Sequence, residues 1–180
     1  MESTAASTQA TPGALPQGAW RVDPSSSSVE FSARGMFGLA LVKGRFTDFT
    51  GDLQVDDAGS RGELRIGAAS LDTRNAMRDR HLRSSDFFDV EQHPTVTFLL
   101  HSVQAQTGGG LTFTGALQIG QNSIVVTAPL RVSTPAPDRL ELGAKLDVDR
   151  AAAGVGWGKL GMIRGDAHLA VQLTLERQSA

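Results

Sequence analysis

With 180 residues, 40% of them hydrophobic and 20% charged, the chain has the composition of one globular domain, large enough to fold around a core without staples. A formal net charge of −2 leaves no broad basic field, which argues against nucleic acid as a partner. The absence of cysteine excludes disulfides, thiolate metal sites and cysteine nucleophiles.

Residues 1–18 are rich in Ala, Ser, Thr and Pro and read as a disordered leader, too poor in apolar surface to offset its ordering entropy. The leader has no apolar h-region, and no stretch approaches the roughly 20 apolar residues of a membrane span. As written, the chain is expected in the cytoplasm, or in the periplasm or medium if a signal has already been removed.

The folded domain is expected over residues 19–178, where period-two alternation takes over from Trp20. Val29 and Phe31 alternate with Ser28, Glu30 and Ser32; Leu53 and Val55 with Asp52 and Gln54; Leu64 and Ile66 with Glu63 and Arg65. Thr73 to Phe88 breaks the rhythm with a charged run, Arg74 to Leu82, and reads as a helical crossover over one end of the sheet. Asp72 or Thr73 would cap its helix, and Ser84 or Ser85 a second turn. Alternation returns with Val96, Phe98 and Leu100, then Leu111 with Phe113, and Leu117 with Ile119. The longest run is Ile124, Val126, Ala128, Leu130 and Val132, followed by Leu140 with Leu142, Leu146 with Val148, and Leu169 to Leu175. Ala151 to Gly165 is Gly-rich, holds Trp157, and reads as a loop or distorted strand. Turn signals at residues 57–59, 108–110, 120–122 and 135–138 separate the runs. So many short strands joined by short turns define an all-β protein, a sandwich or a barrel.

Several of these segments together resemble the YceI-like family of polyisoprenoid-binding proteins. They are Val22-Asp23-Pro24 with Ser28-Val29-Glu30-Phe31, and Gly44-Arg45-Phe46-Thr47-Asp48-Phe49-Thr50-Gly51. The most specific set is Ser70-Leu71-Asp72-Thr73, Arg78-Asp79-Arg80-His81-Leu82, Ser85-Asp86-Phe87-Phe88-Asp89 and His93-Pro94-Thr95-Val96-Thr97-Phe98. Gly115 to Ile119 and Asp149-Arg150 continue the series, which runs in order from about Trp20 to Glu176. The resemblance implies an elongated, eight-stranded, antiparallel lipocalin-like barrel with a short helical crossover. It also implies a non-enzymatic role: binding, carrying or sequestering a polyisoprenoid, quinone-like or fatty lipid, with no other cofactor.

An eight-stranded barrel is just wide enough to be filled by side chains or to hold one small ligand. Phe31, Phe46, Phe49, Phe98, Phe113, Val126 and Leu173 are the candidate wall of such a cavity, with Phe87, Phe88 and Trp157 at its end. One of Phe87 and Phe88 would plug the barrel while the other packs outside. Arg78, Arg80 and His81, with Arg83 beside them, could meet a polar head group, guanidinium being well matched to phosphate. The competing reading is a ligand-free stress-response or interaction module with a filled core, working through its surface or as a homodimer. His81, His93, His101 and His168 lack the spacing of a metal site, so no metal is expected. A hydrolase built on His81 and Asp86 is the weakest reading, because no Gly-x-Ser-x-Gly elbow accompanies them.

Overall fold

A computed structural model describes residues 14–35, 40–155 and 165–179. In chain order it contains β1 (Gly18–Val22), β2 (Ser28–Gly35), β3 (Ala40–Phe46), β4 (Phe49–Asp56), β5 (Gly59–Gly67) and β6 (Leu71–Asp72). The helix α1 (Ala76–Arg83) follows, then β7 (Thr95–Ala105), β8 (Leu111–Ile119), β9 (Asn122–Ala136), β10 (Arg139–Asp149) and β11 (Asp166–Arg177). Every neighbouring pair is antiparallel. The order β1-β4-β5-β7-β8-β9-β10-β11 closes on itself where Trp20, Arg21 and Val22 pair with Arg177, Glu176 and Leu175. The result is an eight-stranded antiparallel barrel.

Three of its staves are broken once. β1 and β2 are separated by a 3₁₀ turn over Pro24–Ser26, and β3 and β4 by Thr47 and Asp48; a second such turn, Ala68–Ser70, separates β5 from β6. β2 takes over from β1 alongside β11, β3 pairs with β2, and β6 with β3, so these pieces extend the barrel at one end. The first break is anchored. The Asp23 carboxylate accepts from the Ser25 amide at 2.9 Å and its hydroxyl at 2.6 Å, which holds its carboxyl below the ordinary value. Thr174, buried on β11, ties to the same turn by donating its amide to Ser27 Oγ at 2.9 Å and its hydroxyl to the Ser26 carbonyl at 3.0 Å.

The end away from these extensions is closed by side chains. Trp20 is 1% exposed and donates Nε1 to the Pro16 carbonyl. The Arg177 guanidinium lies 4.3 Å from its ring centroid while bonding the carbonyls of Gln17 and Pro137. Leu15 is buried here, and Gly18 already belongs to β1. The packed region therefore starts within the segment read as a leader, because one leucine there has the barrel floor to cover. Residues 1–13 lie outside the described residues.

One wall is incomplete. β9 pairs with β8 along its length from Asn122 to Leu130, but its ladder with β10 joins only Leu130–Ala136 to Arg139–Ala144. Pro129, with no N–H to offer either neighbour, stands where that ladder stops. Above it, Asn122–Pro129 and Lys145–Asp149 run unpaired with each other. The gap ends at Gly154, whose φ is 71°. A Cβ there would lie 2.0 Å from Asn122 Nδ2, so a larger residue would have to displace that exposed side chain as well as adopt the left-handed backbone that glycine takes freely.

α1 covers the opposite end, between β6 and β7, as the charged run predicts. Its cap differs from the expected Asp72 or Thr73. Asn75 caps it, accepting from the Arg78 amide at 3.0 Å. Asp72 is engaged in a turn with the Arg74 amide, and Arg74 sits at φ 61°, so the helix cannot begin before Asn75. Thr73 instead meets the buried Asp79 carboxylate, donating its amide at 3.0 Å and its hydroxyl at 2.5 Å. Ser84 does serve the following turn, its Oγ accepting from the Asp86 amide at 3.4 Å.

Candidate functional site

The inward faces of the strands leave a cavity of about 880 Å³ that runs from Leu15 at the floor to Phe87 and Arg150 at the helix-covered end. That volume lies within the range of about 300–1,000 Å³ typical of ligand pockets, and a barrel packed full by its own side chains would not leave it. The premise of a filled core is therefore not met. The lining is overwhelmingly aliphatic and aromatic; its polar members are Asn75, Arg78, His81 and Arg150 at the covered end, with Asp52 and Glu63 along the β4–β5 wall and Gly62 and Gly143 contributing backbone.

Two glycines explain why the phenylalanines do not fill the lumen. Phe31 lies over Gly44, its direct cross-strand partner, so closely that a Cβ on Gly44 would sit 2.5 Å from Phe31 Cζ. Phe98 lies over Gly115 in the same way, with a Cβ 2.4 Å from its Cζ. A ring laid on bare backbone runs along the wall instead of across it. Each is held there by a neighbour: Phe31 by Phe46 at 5.4 Å between centroids, and Phe98 by the edge-on Phe113 at 5.6 Å.

Of the candidate wall residues, Phe31, Phe46, Phe98, Phe113, Val126 and Leu173 all line the cavity. Phe49 does not. It shares the inner face of β4 with Leu53 and Val55 and is buried in the core packing. Phe87 and Phe88 both border the cavity instead of dividing between inside and outside, because the turn after α1 carries them round it. That turn is set by hydrogen bonds from the Phe87 amide to the Ser84 carbonyl and from the Phe88 amide to the Leu82 carbonyl. Phe88 meets Phe46 edge-on at 6.0 Å, and Phe87 meets the His81 ring at 5.1 Å. Trp157 lies outside the described residues.

Among the basic candidates, Arg78 and His81 line the cavity and Arg80 does not; it points to solvent. Arg78 is committed at its inner side, donating Nε to Thr73 Oγ1 and Nη2 to the Thr73 carbonyl, both at 2.8 Å. Arg83 donates Nη2 to the Leu71 carbonyl at 2.6 Å, and its Nε is buried with no partner among the described residues. Arg150 bridges the Arg34 and Gly165 carbonyls at 3.0 Å each, and burial lowers its guanidinium from the ordinary value.

His81 Nε2 lies 3.7 Å from Asp86 Oδ2, and both side chains are about half exposed. The nearby Ser84 hydroxyl donates to the His81 carbonyl at 2.7 Å and not to its ring. This is no nucleophile–base pair. No cluster of three metal-ligating side chains occurs among the described residues, and no helix there is long and apolar enough to cross a membrane.

Residues that the sequence reading did not nominate complete the wall: Leu142, Leu146 and Leu169, and the small Ala33, Ala144 and Ala167. The leucines were visible as inward members of their runs. The alanines carry no such signal, because what they contribute is space.

Fold and cavity together define a closed eight-stranded barrel of the lipocalin-like type with an apolar lumen. The sequence matches the YceI-like domain model over residues 20–175, and the chain belongs to that family. It is 34% identical over 115 residues to a UPF0312 protein of Vibrio parahaemolyticus, covering 59% of this chain and 60% of that one. A UPF0312 protein of Shewanella denitrificans is 34% identical over 109 residues, covering 59% and 54%. These matches span between half and three-fifths of the relatives' length.

Among solved structures, BcnA of Burkholderia cenocepacia superposes with a TM-score of 0.74 at 24% identity, covering 85% of this chain and 98% of that one. A polyisoprenoid binding domain from Saccharophagus degradans gives 0.72 at 16%, covering 88% and 98%. At these identities the likeness is one of fold.

Proposed function

We propose that the protein is a non-enzymatic container for a long apolar lipid of the polyisoprenoid, isoprenoid-quinone or fatty class. The observation that carries this reading is the 880 Å³ apolar cavity running through the barrel. Each CH₂ moved from water into such a lumen is worth about 0.8 kcal/mol, so an unbranched or methyl-branched tail binds tightly without directional contacts. The basic residues and Asn75 sit at the helix-covered end, with only Asp52 and Glu63 along the β4–β5 wall, which favours one orientation: tail toward Leu15, head toward α1. There, Arg78 and His81 are the proposed head-group contacts. The fold-level likeness to a domain described as polyisoprenoid-binding supports the same class of ligand.

Native mass spectrometry of freshly purified protein, followed by organic extraction, tests this directly. The expected result is one lipid per chain, released by solvent. A bare chain that also takes up no added isoprenoid quinone or long-chain fatty acid would overturn the proposal.

A further inference from the structure

Three large hydrophobic side chains stand exposed among the described residues: Met77 at 81%, Val125 at 73% and Leu41 at 53%. All three belong to the helix-covered half of the barrel. Met77 is on α1. Leu41 is one residue from the end of the β2–β3 ladder, opposite Arg34, and Val125 is three residues below the start of β9 at the β8–β9 turn. At the opposite end no large hydrophobic residue is exposed among the described residues, and Leu15 is drawn inside.

Met77 is also flanked by charge of one sign. Arg80 lies three residues on, at the helical spacing that puts it on the same face, and Arg74 lies three residues back, in the turn before the Asn75 cap; both are exposed. Neither guanidinium has a salt bridge or side-chain hydrogen bond among the described residues, whereas the inner face of the helix is occupied by Asp79 and Arg78 bonding Thr73. An apolar tip between two exposed arginines, of which Arg74 has the half-exposed Asp72 as a charged neighbour, suits the boundary of a bilayer with anionic head groups, the arginines meeting phosphates while the thioether enters the acyl region. Met77 also borders the cavity, so the tip that would touch the bilayer is the rim of the lumen.

We infer that the outer face of α1 and the turn before it, with Met77 and Arg80 on the helix and Arg74 in the turn, docks the barrel mouth-down on an anionic lipid bilayer. The inference rests on the container reading for its purpose, but its test needs no bound lipid. The full chain is mixed with vesicles of phosphatidylcholine alone or with phosphatidylglycerol, and bound protein is separated by sedimentation at low and high salt.

Binding is expected to the phosphatidylglycerol vesicles only and to weaken at high salt. Arg74→Gln with Arg80→Gln should weaken it about 30-fold, at roughly a fivefold factor per arginine near such a surface. Met77→Ser should weaken it about tenfold, the scale of withdrawing one methionine from an apolar medium. Because the chain has no cysteine, Met77→Cys carrying an environment-sensitive dye reports insertion independently, as a blue shift on the same vesicles. Absence of binding to phosphatidylglycerol vesicles, equal binding to both vesicle types, or wild-type binding by the substituted chains would overturn the inference. A chain that carries lipid yet ignores vesicles leaves the container intact and removes the docking face. One that binds vesicles but holds no lipid does the reverse.

Discussion

Gly44→Val is expected to weaken lipid binding by roughly 30- to 1,000-fold while leaving a folded barrel, the equivalent of displacing about three to five methylenes of cargo. The argument is steric. The three atoms nearest a Cβ at position 44 are all side-chain atoms, Phe31 Cζ at 2.5 Å, Phe31 Cε1 at 2.8 Å and Thr73 Cγ2 at 2.9 Å, so the tightest contact is relieved by moving the ring, not the backbone. A ring lifted from the wall has one place to go, the lumen. Valine suits a strand, and Gly44 has no positive φ to be strained. Titration with an isoprenoid quinone measures the loss, and the double variant Gly44→Val with Phe31→Ala should recover most of it by emptying the space again. If the single variant binds as the parent does, the glycine is not what keeps the lumen open.

Asp79→Ala is expected to cost about 3–4 kcal/mol and to loosen α1 before the barrel, the scale of removing a charged acceptor that serves two buried donors. Asp79 is 7% exposed and is the sole acceptor for both the Thr73 amide and hydroxyl, while Arg78 bonds Thr73 Oγ1 and carbonyl from the other side. Without the carboxylate, the Thr73 amide and hydroxyl both lose their acceptor, and the hydroxyl that Arg78 also contacts is no longer held. Asp79→Asn keeps one acceptor oxygen and should cost about half as much by the usual worth of a charged hydrogen bond. Hydrogen exchange should show residues 76–83 exchanging by local opening, and lipid release should quicken, since α1 roofs the cavity. Unchanged exchange in the helix would mean that the network does not hold it down.

The strands with clean alternation were legible from sequence almost to their ends, as at Ile124 to Val132, because water on one side and lipid-like packing on the other impose a period of two on the chain. β3 was not legible. Its inward set is Val42, Gly44 and Phe46, with a glycine where the pattern needs an apolar mark and Leu41 exposed where it needs a polar one. The charged crossover was recognisable from its composition, yet its cap was missed, since only three-dimensional packing withdraws Thr73 into a buried bond with Asp79 and turns Arg74 into the left-handed region. Choosing aromatic residues found six of the cavity's wall positions. It failed at Phe49, because alternation tells inside from outside but not lumen from packed core. It also could not find the alanines and glycines that make room, since a void leaves no residue of its own in the sequence.

The incomplete β9–β10 ladder bears on what the lumen can accept. Strands bonded side by side sit about 4.8 Å apart, so a fully bonded hoop of eight has a circumference set by its backbone and cannot stretch without breaking hydrogen bonds. From the floor up to Pro129 the hoop is whole, and its girth is fixed. Between Pro129 and the Gly154 turn it is cut, and β9 and β10 can part or close by side-chain packing alone. On the container reading, the lower barrel would act as a gauge of fixed bore that selects a slender chain. The upper barrel would be an elastic collar that admits head groups of differing width. Selectivity would then be strict for the tail and lax for the head.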